Sequence, residues 1–129
     1  MMGIAELADR PASDLPLGTR RILEVARALE GSPSLVLLDE PASGLDEAEV
    51  AALGDVVKRL SRAGATVVIV EHNFEMIMSI ADVVNVLHLG RIIASGPPET
   101  VRRDPEVVES YLGKEARAQL EREIQGGQA

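Results

Sequence analysis

The stretch SLVLLDEPASGLD, Ser34 to Asp46, decides how this chain is read. Four apolar residues, Leu35 to Leu38, run straight into Asp39, Glu40 and then Pro41. The run is too short for a helix and apolar on every side, the pattern of a parallel strand buried on both faces. Asp46 and Glu49 have capping-box spacing and open a helix to about Ala63, with Val50, Leu53, Val57 and Leu60 on one face. Gly64 closes that helix, and Thr66 to Val70 reads as a second buried strand. Strand, helix and strand make a unit of the size a right-handed parallel crossover needs. Ligands of open parallel sheets bind beyond the carboxyl ends of the strands. Asp39 and Glu40 stand at one such end, and Glu71 and His72 at the next. Three acids and an imidazole are thus expected on one sheet edge. Repulsion and burial disfavour such a gathering unless a cation or a proton in transit is expected there. Singly, each feature has a plain structural reading: strands end in polar residues, and His72 alone is a capping histidine. Their combination points to chemistry.

Composition narrows the classes. The chain has 129 residues, 46% of them apolar, and its mean hydropathy is +0.08, which describes one globular domain with a modest core. Aromatics make up only 2%, so that core is built of Leu, Ile, Val and Ala. Without cysteine there is no disulfide framework and no thiolate metal site. No apolar run approaches the ~20 residues that span a bilayer, and the first residues lack a signal-peptide layout. A net charge of -8 argues against a partner recognised through its phosphate backbone. Adjacent arginines are limited to Arg20–Arg21 and Arg102–Arg103.

Outside the central unit the signals are shorter. Ile22, Val25, Ala26 and Leu29 recur at helical spacing and predict a helix from Thr19 to Glu30, stopped by Gly31-Ser-Pro33. Asn73 caps a short helix through Ile80. Val83 to Leu89 and Arg91 to Ser95 read as strands around a turn at Gly90, with His88 facing solvent. Pro98 and Pro105 suit the first turns of two short helices that end near Gly113. The charged tail, residues 114–129, reads as a frayed helix or a disordered segment.

Taken in order, these residues resemble the ATP-binding cassette ATPases of membrane transporters. LVLLDEP, Leu35 to Pro41, is similar to a Walker B motif, and SGLD, Ser43 to Asp46, to the D-loop that follows it. His72, in VIVEHN, resembles the switch histidine, and LPLGT with RRILEVARAL, Leu15 to Leu29, the signature loop and its helix. The closing stretch from Gly90 to Gly113 resembles cassettes of branched-chain amino-acid uptake systems. The resemblance runs over roughly residues 3 to 113 and implies an α/β, partial P-loop NTPase fold, with residues 1–113 forming the C-terminal part of a cassette domain. It implies that Asp39 holds Mg²⁺, that Glu40 polarises the attacking water, and that His72 hydrogen-bonds the γ-phosphate of ATP. It further implies that Leu15, Gly18, Thr19, Ser43 and Asp46 serve a nucleotide shared with a second cassette. The implied partners are that second cassette, the membrane permease subunits and a separate N-terminal cassette half, without nucleic acid. The implied location is cytoplasmic, on the inner face of the plasma membrane.

Two departures accompany the resemblance. Pro16 and Leu17 stand where the family signature, LSGGQ, has serine and glycine, so anion contact rests on Gly18, Thr19 and the following helix N-terminus. A phosphate loop requires a glycine-rich turn with Gly-Lys-Ser or Gly-Lys-Thr. The two lysines, Lys58 and Lys114, lie in no such run. The expectation is the C-terminal half of a cassette, inactive alone, with an incomplete core. Two other classes are weighed against it: a non-catalytic module that docks on full-length cassettes, and a nucleic-acid-linked cassette ATPase, which the acidic charge disfavours.

Overall fold

The computed structural model describes residues 5–127, which divide into two units between Met76 and Ile77. In the first unit, α1 (Leu17–Ala28) is followed by β1 (Leu35–Asp39), α2 (Glu47–Arg62) and β2 (Thr66–Val70). The strands pair in parallel, with Leu35 opposite Thr66 and Asp39 opposite Val70, as the strand–helix–strand pattern requires. Helix α1 begins two residues earlier than its periodicity suggests, because Pro16 takes the cap position. Helix α2 starts on a complete capping box. Asp46 accepts from the Glu49 N–H at 2.8 Å, and Glu49 accepts from the Asp46 N–H at 2.9 Å. It ends on Gly64 at φ +98°, with Ala65 donating to the Leu60 carbonyl and Gly64 to that of Ser61, the paired bonds of a Schellman stop.

The second unit holds a hairpin of β3 (Val84–His88) and β4 (Arg91–Gly96), antiparallel, with a bulge between Val86 and Leu87. Leu89 and Gly90 both adopt positive φ, as a tight hairpin turn of the primed kind needs. Two short helices, α4 (Pro98–Arg102) and α5 (Pro105–Val107), carry proline in their first turn and pack on the hairpin. There Val84, Val86, Val101, Val107 and Val108 form the core. A π-helical turn, Val108–Leu112, leads into α6 (Gly113–Gly126). His88 is half-buried, not solvent-facing, because the Tyr111 ring stands edge-on to it at 6.4 Å while the Tyr111 hydroxyl donates to the Leu87 carbonyl. A further helix, α3 (Phe74–Ile80), leads from one unit into the other; its first turn is capped by Asn73, which accepts from the Met76 N–H at 3.1 Å.

One expectation is corrected. The parallel strands are buried on one face only. Val36 and Leu38 are buried on the side where α2 packs on β2 with Leu53, Val56 and Val57. On the other side Leu35, Leu37, Val68 and Val70 stay about half or more exposed, because no described element of this unit covers them. The sequence is apolar on both faces; the structure covers one. Leu53→Ala should therefore destabilise by ~2–5 kcal/mol, since it opens a cavity at a position 1% exposed. Leu37→Ala, at 69% exposure, should change stability by about 0.5 kcal/mol or less. Urea denaturation of the two variants checks the contrast, and equal losses would show that both faces are covered.

Candidate active site

The β1–β2 register builds the site. With Asp39 opposite Val70, the two strands end level, and the next residue of each chain segment turns out of the sheet. The Glu40 N–H still donates to the Val70 carbonyl at 2.7 Å, which prolongs the ladder by one bond. Glu40 itself takes φ +45°. That is the left-handed region, uncommon for a residue with a side chain, and a residue before proline is normally extended. The turn puts the Glu40 carboxylate beside His72, with Oε1 3.3 Å from Nδ1. The two side chains are 54% and 73% exposed, so the pair contributes at most about 1 kcal/mol to stability. Its interest is chemical. Solvent reaches both groups, and with Nδ1 against the carboxylate, Nε2 is the ring nitrogen left for another ligand.

Asp39, Glu40 and His72 thus share one edge of the sheet. Asp39 is exposed at the end of β1, and the described residues contain no group of three His, Asp or Glu arranged to hold a metal ion. One open carboxylate suits a hard, well-hydrated ion such as Mg²⁺ that takes its other ligands from water and phosphate. It does not suit a metal that needs a protein cage.

The remaining expected site residues form a second cluster around the start of α1. Leu15 and Gly18 are buried and Thr19 is half-buried. This cluster is joined to the first by the segment from Ser43 to Glu49. A Cβ on Gly44 would stand 3.1 Å from the Leu17 side chain, and a Cβ on Gly18 only 2.5 Å from the Glu49 carboxylate. Leu17 fills the space over Gly44, and Glu49 fills the space beside Gly18. The leucine that departs from the signature pattern therefore has a packing role. Asp46 is occupied as the α2 cap, and the Ser43 N–H donates to the Glu40 carbonyl at 3.2 Å. Sequence reasoning missed Glu49 as a neighbour of Gly18. It also gave Glu71 no role beyond its place at the strand end, yet the Glu71 carboxylate accepts from the Ala42 N–H at 2.7 Å and the Asn73 N–H at 3.3 Å. The only available signal was a carboxylate directly before the histidine.

Comparison with known proteins follows the same lines. Residues 91–117 match the family described as "Branched-chain amino acid ATP-binding cassette transporter", and residues 6–76 match a family described as "AAA domain, putative AbiEii toxin, Type IV TA system". The chain is 37% identical over 114 residues to the high-affinity branched-chain amino acid transport ATP-binding protein LivG of Escherichia coli K12, covering 88% of this chain and 45% of LivG. It is 38% identical over 114 residues to BraF of Pseudomonas aeruginosa, with the same coverage. A solved ATP-binding cassette of an ABC transporter, in its ADP conformation, superposes with a TM-score of 0.76 at 32% identity, over 88% of this chain and 46% of that one. The chain spans about half the length of the relatives it matches.

The contact between Gly18 and Glu49 is testable. Alanine is the better helix former by about 1 kcal/mol, but at Gly18 its Cβ would push Glu49 off the Asp46 N–H. Gly18→Ala should be neutral or destabilising in the wild-type chain and stabilising by up to about 1 kcal/mol in a Glu49→Ala background. A four-member denaturation cycle reads that change of sign; strictly additive effects would show the two residues to be uncoupled.

Proposed function

Because the chain belongs to the ATP-binding cassette ATPases and corresponds to the C-terminal part of their ATP-binding domain, we propose that it supplies the hydrolytic edge of a transport ATPase of the branched-chain amino-acid uptake class. The observation that carries this reading is the Glu40–His72 pair at the level ends of two parallel strands. A water between Glu40 and a γ-phosphate would lose its proton to the Glu40 carboxylate as its oxygen attacks phosphorus and the bond to the ADP oxygen breaks. His72 would hydrogen-bond the γ-phosphate through Nε2 and register its departure. Asp39 would hold Mg²⁺, which neutralises phosphate charge when bound. Leu15, Gly18 and Thr19 would meet the nucleotide of a second cassette, with Ser43 and Asp46 at the same boundary.

The backbone N–H groups and lysine that cradle the β- and γ-phosphates would come from an N-terminal cassette half, which also suits the uncovered Leu35, Leu37, Val68 and Val70 face. The permease subunits would hold the assembly at the inner face of the plasma membrane, a peripheral placement in keeping with the absence, among the described residues, of any helix long and apolar enough to cross a membrane. The same uncovered face favours a second reading, in which the chain only docks on another cassette and performs no chemistry.

Two outcomes separate these readings. The purified chain alone should show no saturable MgATP binding in titration calorimetry at micromolar nucleotide, because Asp39 and Glu40 are net negative and no phosphate loop opposes them. Joined to a matching N-terminal half, it should hydrolyse ATP, and Glu40→Gln should reduce turnover by ~10²–10⁴-fold while ATP stays bound. Turnover unaffected by Glu40→Gln would show that Glu40 is not the base, and no turnover in the joined protein would leave docking as the role.

A further inference from the structure

Glu71 touches neither Glu40 nor His72 in the contacts described above, yet it holds the backbone on both sides of them. One carboxylate oxygen accepts from the N–H of Ala42, two residues past Glu40, at 2.7 Å. The other accepts from the N–H of Asn73, the residue after His72, at 3.3 Å. A single side chain thus ties the turn that carries the expected base to the turn that carries the expected phosphate sensor. Asn73 passes the tie onward, since its own side chain caps α3.

The turn after β1 needs such a tie. Glu40 sits at φ +45° directly before Pro41, a conformation uncommon for a residue with a side chain and disfavoured before proline. Three bonds hold it: Glu40 N–H to the Val70 carbonyl, Ser43 N–H to the Glu40 carbonyl, and Ala42 N–H to Glu71. The first two are backbone bonds. The third is the shortest bond from a side chain in this turn, and an ionised acceptor makes it about twice as strong as a neutral one. Ala42 is itself buried, so losing the carboxylate would leave its N–H without a partner. The turn would rearrange to satisfy it, and Glu40 would move with the turn.

The geometry points to Glu71 as the positioning residue of the Glu40–His72 pair. It takes no proton and meets no substrate; it fixes the distance between the two groups that do. This rests on the proposed role of that pair, and the test keeps the two claims apart. Backbone amide exchange, followed by NMR on the full chain, reads the clamp without any reference to ATP. The Ala42 and Asn73 amides should be protected in the wild-type chain and exposed in Glu71→Ala. Glu71→Gln should retain protection at Ala42, where a carbonyl oxygen still accepts, and lose it at Asn73, where the amide NH₂ faces another donor.

In the chain complemented by an N-terminal cassette half, Glu71→Ala should lower kcat roughly 10- to 100-fold with KM for MgATP unchanged, the signature of misplaced rather than missing groups. Glu71→Gln should recover most of that loss; if Glu71→Ala does not fold, the test rests on Glu71→Gln losing amide protection at Asn73 while keeping it at Ala42. Wild-type kcat in Glu71→Ala, alongside a dead Glu40→Gln, would overturn the positioning role while leaving the hydrolytic pair in place. Full turnover in Glu40→Gln would remove the pair, and the role of Glu71 with it. Unprotected Ala42 and Asn73 amides in the wild-type chain would overturn the clamp itself.

Discussion

The parallel register that sets Asp39 opposite Val70 is the constraint from which the candidate site follows. A slip of one residue would turn every side chain of β1 to the other face, moving Val36 and Leu38 away from the side where α2 lies. It would also place Glu40 a residue out of step with Glu71 and His72. Burial therefore fixes the site: the leucines and valines facing α2 hold the strands in line, and the two polar ends meet as a consequence. The final bond, Glu40 N–H to the Val70 carbonyl, carries the alignment past the sheet into the turn. Glu40 and His72 contribute little stability themselves, being largely exposed, and their placement comes from apolar packing several residues away.

This explains which parts could be read from the chain. The alternation of a four-residue apolar run, a capping box and a second apolar run has a strong local cause at each step, and strands, helix and parallel pairing all appear as the pattern implies. The strand ends were legible for the same reason, since Asp39, Glu40, Glu71 and His72 interrupt apolar runs. Hydrogen bonds between distant segments were not legible, unlike the local caps of Asp46, Glu49 and Asn73. Nothing in the order Val-Glu-His-Asn tells that Glu71 reaches back 29 residues to the Ala42 N–H, because that bond depends on a turn whose φ +45° residue is a glutamate, not the expected glycine. His88 was misread by a similar route: alternation with Leu87 and Leu89 set it facing solvent, but both leucines are exposed, His88 stands two residues beyond buried Val86, and Tyr111, 23 residues on, comes back to cover it.

Leu17, which departs from the family signature, and Gly18, which keeps it, are constrained in different ways. Leu17 is compatible with its surroundings because Gly44 has no side chain, so the larger residue on one loop is matched by the smallest on the other. Gly18 is constrained in the opposite sense. The Glu49 carboxylate that completes the α2 cap lies where its Cβ would be, and the N-terminus of α1 favours a negative charge there. Signature loop and D-loop are consequently packed against each other through Leu17 with Gly44 and Gly18 with Glu49. A movement of one has to be transmitted to the other or break the cap of α2.

Such coupling gives the half-covered sheet a further meaning. A strand apolar on both faces buries its side chains only between two layers. Here α2 supplies the first layer, and Leu35, Leu37, Val68 and Val70 await the second. Those four residues belong to the same two strands whose ends present Asp39, Glu40 and His72. Any layer laid on that face would therefore press on the strands that set the site, and through Glu40, Ser43 and Glu49 on the start of α1. Covering the apolar face and ordering the candidate site are therefore coupled on this geometry: the hydrophobic area a docking partner would gain lies on the same strands that position the Glu40 carboxylate and the His72 imidazole.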